Sequence, residues 1–157
     1  MNASPPPSSF ELPGHAPERI RRFHEIWLEK ADGKLPDASL FDVTELSADF
    51  PLLARICVEG PDQELHWRDL ADHQKWPFGP PVKDRPVVEA VPPRSVKRVI
   101  AAFQETLESG IPDYFETTSW FHGGHSLSLA RLVAPLAAGS GRELIALWEV
   151  MEPPTSV

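Results

Sequence analysis

Apolar positions recur along this chain with two different periods, and the periods divide it into elements. From Pro17 onward, Ile20, Phe23, Trp27 and Leu28 fall at i, i+3, i+7 and i+8, while Arg19, Arg21, Arg22, Glu25 and Lys30 take the intervening positions. That is the one-sided stripe of an amphipathic helix, with proline in its first turn and Gly33 and Pro36 to stop it. Leu40 to Leu46 reads as a short helix, and Leu52 to Glu59 as a strand ended by Gly60-Pro61. Glu64 to Leu70 is a second strand. Strict alternation there puts Leu65, Trp67 and Asp69 on one face and His66, Arg68 and Leu70 on the other. The Gly60-Pro61-Asp62 punctuation makes the two strands a hairpin.

From Ala71 to Pro93 no long regular element fits; Trp76-Pro77-Phe78-Gly79-Pro80-Pro81 lies at the centre, with a single helical turn near Val87 to Ala90. The helical period returns between Pro92 and Ser109, where Val96, Ile100, Phe103 and Leu107 line up and Gly110 supplies the stop. Strands follow over Asp113 to Phe121, Ser126 to Leu136 and Glu143 to Met151, joined at His122-Gly123-Gly124-His125 and across Ala137 to Arg142. The pattern predicts an α+β fold: a five-stranded antiparallel sheet with a helical connection and an N-terminal amphipathic helix. Residues 1–16, with Pro5-Pro6-Pro7, Ser8, Ser9 and Pro13, form a flexible leader; 17–36 hold the first helix, 37–152 the main domain and 153–157 a short tail.

Composition narrows this picture. A chain of 157 residues, 41% apolar and 24% charged, is globular and long enough for one core. The N-terminus lacks a secretory signal, and no apolar run approaches the roughly 20 residues of a membrane span, so a soluble cytoplasmic protein without membrane insertion is expected. Cys57 is the only cysteine, set in an apolar run, and reads as a buried structural thiol. The formal charge of −8 opposes nucleic-acid binding. Arg94, Lys97 and Arg98 form a local basic group at a helix start, which a solvated face explains.

No residue set stands out for catalysis. The pair His122 and His125 has zinc-like spacing but no second ligand pair, and Ser119, Ser126 and Ser128 lie in strands without a nucleophile elbow. Glu105 with Glu108, and Asp69 with Asp72, have the spacing of solvated surface. No phosphate loop is present, and neither an enzyme nor a metal site is expected. What remains is a group of large rings, Trp67, Trp76, Phe78 and Phe103, that could all face one space between sheet and connection. They fill a core or line a ligand cavity, in which case Asp69, His73 and Arg131 are its polar groups.

Two strands, a poorly regular helical connection, one long helix and three antiparallel strands make up the PAS topology. More specifically, the chain resembles a family of PAS-like proteins of alphaproteobacteria over about residues 18 to 151. The resemblance runs through Trp27-Leu28, Gly33-Lys34-Leu35-Pro36, Phe41-Asp42, Leu46 and Leu52-Leu53. It continues in the aromatic-arginine strand Glu64-Leu65-His66-Trp67-Arg68, the step Gly110-Ile111-Pro112, and the strand Arg131-Leu132-Val133-Ala134-Pro135-Leu136. Ala71 and Asp84-Arg85 depart from it where the family tends to have glycine and glycine-arginine.

The resemblance implies a regulatory or sensory role in signal transduction. PAS modules usually report to an attached output domain; none follows the last strand, so a free-standing regulator acting on a signalling protein such as a histidine kinase is expected. The first helix would be its docking or dimerisation element, with Ile20, Phe23, Trp27 and Leu28 at the interface. The alternative is a sensor whose signal depends on a small organic ligand in the PAS pocket, and a third reading is a small enzyme using the same cleft. The family has no uniform cofactor. Flavin attachment would need a cysteine in a helical Asn-Cys-Arg context, and haem would need a helical-side histidine such as His73; neither cofactor is expected.

Overall fold

A computed structural model describes residues 10–71, 82–91, 93–120 and 126–151. They form an α+β fold around a five-stranded antiparallel sheet of order β2-β1-β5-β4-β3. The elements in chain order are α1 (Glu18–Ala31), a 3₁₀ turn (Ala38–Leu40), α2 (Val43–Leu46), β1 (Leu53–Glu59) and β2 (Glu64–Leu70). Two further 3₁₀ turns (Val87–Ala90 and Pro93–Ser95) lead into α3 (Val96–Ser109), then β3 (Asp113–Trp120), β4 (Ser126–Ala138) and β5 (Gly141–Met151). Among the described residues no helix is long and apolar enough to cross a membrane.

Both faces of the sheet are covered, which is why its inner strands read as nearly continuous apolar runs. On one face α1 lays Ile20, Phe23, Trp27 and Ala31 over Leu53, Leu132, Leu136, Ile145 and Leu147. On the other, Phe103 of α3 and Val87 of the connection meet Ala54, Ile56, Trp67, Val133, Leu144 and Ala146. Along β4, Ala130, Leu132 and Ala134 therefore serve the α1 side and Val133 the α3 side.

The stripe on α1 is not offered to solvent. Ile20, Phe23 and Trp27 are fully buried within the chain, and Leu28 is partly buried against the same core. Pro135 lies past the end of the β3 ladder, at Asp113–Val133, where β4 has become an edge that tolerates proline. Its carbonyl accepts a hydrogen bond of 3.0 Å from Trp27 Nε1. These four side chains, expected at a docking or dimer interface, thus contribute to an intramolecular interface instead. Helical periodicity identifies a stripe but not what covers it.

Two local departures from the expected strands have physical causes. The connection expected across Ala137 to Arg142 shortens to Gly139-Ser140, because Ala138 pairs with Gly141 and Gly139, at φ +58°, accommodates the tight turn. In β2 the ladder slips: Arg55 pairs with Asp69 but Ile56 with Trp67, leaving Arg68 as the extra residue of a bulge. Beyond the bulge the faces exchange. Leu70 joins Trp67 on the α3 side, and Asp69 turns to the other side beside Arg55, 3.6 Å away.

The end of α3 is closed carefully. Gly110, in the left-handed region at φ +72°, donates its N–H to the Thr106 carbonyl, and Arg142 Nη1 donates to the carbonyls of Leu107 and Glu108 at 2.8 and 3.0 Å.

Candidate functional site

Sheet register assembles a row of side chains beneath α3. Arg131 of β4 lies opposite Phe115 of β3 on one side and Trp148 of β5 on the other, so the three share a face. Phe103 descends onto this row from α3: the Arg131 guanidinium carbon is 5.2 Å from the Phe103 ring centroid and 5.5 Å from that of Phe115. Trp148 continues the series, 6.5 Å from Phe103 and 6.1 Å from Trp67 between ring centroids. At the outer end, Arg98 from α3 places its guanidinium 5.4 Å from the Phe115 ring.

Arg131 is the unusual member. It is 7% exposed; among the described residues its buried Nε has no hydrogen-bond partner and its nearest carboxylate oxygen is Asp113 Oδ2, 3.9 Å from Nη2. Burial pulls its pKa down; Asp113 opposes that shift and Arg98 reinforces it. The group remains a cation at neutral pH, because free guanidinium titrates far above it. Rings above and beside a guanidinium recover part of its lost hydration. They offer its N–H donors no acceptor of carboxylate strength.

The structure brings Trp67, Phe103 and Arg131 of the expected pocket onto one face. Asp69 is not with them; the bulge at Arg68 sends it to a charged group on the opposite side with Arg55 and Lys83. His73, Trp76 and Phe78 lie outside the described residues. Trp148, Phe115 and Asp113 were not singled out by the sequence reading. Alternation along Leu144, Ala146 and Trp148 carries the signal for Trp148, but only cross-strand register reveals that it meets Arg131.

A concavity opens where β1 and β5 part. Their pairing ends at Ile56–Leu144 although both strands run on, and the fork encloses about 640 Å³ lined by Cys57, Glu59, Arg68, Leu107, Arg142 and Glu143, among others. Its arginines and Glu143 are engaged with one another or with backbone. Glu143 is 2.7 Å from Arg55 and 3.5 Å from Arg68, and Arg142 caps α3. Burial, with help from neighbouring Glu59, pushes the Cys57 thiol up to about 11, leaving little thiolate at neutral pH.

Among the described residues no group of three or more His, Cys, Asp and Glu side chains could hold a metal ion. The His122-Gly123-Gly124-His125 turn lies outside those residues. His66 is held by Glu64 at 2.8 Å and faces the Asp84 carbonyl at 3.2 Å; its pKa is raised, chiefly by the hydrogen bond to Glu64. His24, buried between Phe10 and Trp27, is shifted down by its burial. Compared with known proteins, the chain matches no family model and no curated protein.

Proposed function

We propose that this chain is a PAS-like regulatory module of the cytoplasm that acts by contact with a signalling protein such as a histidine kinase. The supporting observation is the architecture: strand order β2-β1-β5-β4-β3, one long helix and short helical turns across one face, and a further helix across the other. This is the element order that the PAS resemblance implies. It also supplies a route for a signal. Residues of β4 alternate between the α3 side, at Arg131 and Val133, and the α1 side, at Leu132 and Ala134, so a shift beneath α3 bears directly on the packing of α1.

A second reading, in which the contact depends on a small organic ligand held beneath α3, is favoured by one feature. Arg131 is a buried cation with only a distant counter-ion. The role is one of binding rather than turnover.

Cross-linking in cells followed by identification of the captured protein tests the first reading, with autophosphorylation of the recovered kinase measured with and without the purified chain. A changed rate supports regulation by contact. An unchanged rate, or the absence of any signalling protein among the cross-linked partners, refutes it.

A further inference from the structure

Two arginines of this fold, Arg131 buried and Arg55 half-buried, are treated differently. Arg55 is held by Glu143 at 2.7 Å, the short charge-assisted contact expected of a guanidinium removed from water. Arg131 has a more deeply buried side chain, 9% exposed against 15%, yet among the described residues nothing holds it closer than Asp113 at 3.9 Å, and the Asp113 side chain is 44% exposed. Among the described residues no hydrogen bond to the Arg131 guanidinium forms; its Nε has no partner, as is also true of Arg55 Nε, so the distant counter-ion is what distinguishes Arg131. A buried cation in this position lacks an acceptor.

The surroundings state what kind of acceptor fits. Arg131 and Arg98 carry two positive charges around Phe115 and Asp113 one negative charge, leaving a local excess of one positive charge in a chain of formal charge −8. Phe103, Phe115 and Trp148 make the walls aromatic. Phe115, 37% exposed, and the exposed Arg98 stand at the outer end of this row. A single carboxylate neutralises the excess and matches the planar fork of guanidinium. A doubly charged phosphate would overshoot it and lose more hydration against the rings.

We propose that Arg131 and the rings around it bind a small organic monocarboxylate, its carboxylate taken by Arg131 and its apolar body lying against Phe103, Phe115 and Trp148. Its regulatory use rests on the ligand-dependent reading above; the site itself rests on the geometry of Arg131.

Benzoate and butyrate are suitable probes, with neutral benzamide and inorganic phosphate as controls, followed by thermal unfolding and by amide NMR titration of the whole chain. Both carboxylates are expected to raise the melting temperature and to shift the amides of Phe115, Arg131 and Trp148 saturably, and the controls to do neither. Arg131→Met exchanges a buried charge for an apolar chain of similar length; it should fold with an unchanged or higher melting temperature and bind the carboxylates at least tenfold more weakly. Arg98→Gln, at an exposed position, should weaken them several-fold and decides the matter if the Arg131 variant does not fold. Absence of saturable shifts with both carboxylates, undiminished binding in the folded Arg131→Met variant (in Arg98→Gln if that one does not fold), or an equal response to benzamide or phosphate overturns the proposal. Carboxylate binding without any effect on the kinase would instead remove the regulatory reading and leave the site standing.

Discussion

Replacing Trp27 by phenylalanine tests whether α1 belongs to the folded core. The indole is fully buried, stacks beside His24 with ring centroids 6.4 Å apart, and donates its N–H to the Pro135 carbonyl at 3.0 Å. Phenylalanine keeps an aromatic ring but removes the donor and part of the volume. An orphaned buried carbonyl costs about 1–3 kcal/mol and an incompletely refilled cavity adds about 1 kcal/mol more, so a loss of about 3 kcal/mol is expected. At about 2–4 °C per kcal/mol for a chain of this size, the melting temperature should fall by about 6–12 °C. Calorimetry at several protein concentrations is the appropriate assay, with exposed Glu29→Ala as the control. The fall should be independent of concentration. A change of less than 2 °C, or one present only where the protein self-associates, would refute the burial of α1 against its own sheet and return Trp27 to an intermolecular interface.

Other expectations follow from the same geometry. With its thiol pushed up to about 11, Cys57 should be alkylated at pH 8 about 100-fold more slowly than a free cysteine; a titration midpoint near 9 contradicts this. Gly110→Ala places a Cβ in the left-handed region and 3.2 Å from Arg142 Nη1, and should destabilise by about 1–2 kcal/mol in urea unfolding, whereas Gly33→Ala meets open space and should show only its backbone strain. His24 has a folded-state pKa below its ordinary value of 6.5, so as pH falls through that value the unfolded chain takes up the proton first and stability declines. Between pH 7.5 and 5.5 the native chain should therefore lose more stability than His24→Phe, and equal losses would exclude burial of the neutral imidazole.

Much of the fold is legible in the sequence because its elements obey one period each. Val96, Ile100, Phe103 and Leu107 mark the stripe of α3, β1 and β5 emerge from apolar runs bounded by glycine or proline, and β2 from alternation. The site is less legible, because it depends on pairing rather than on pattern. Alternation alone assigns Asp69 to the face of Trp67. The bulge at Arg68, a property of two strands together, reverses that assignment. In the same way Arg131 is visible as a polar residue in an apolar strand, whereas its placement between Phe115 and Trp148 follows only from the register of β3, β4 and β5. The stripe on α1 shows a third limit: Phe23 and Trp27 would look alike whether they met the chain's own sheet or another molecule, and tertiary contact decides.

The proposed regulation by contact is tested most directly on a kinase recovered by cross-linking. Its autophosphorylation rate should change on addition of the native chain, and the response to carboxylate should be lost with Arg131→Met. A rate indifferent to both proteins would contradict the account.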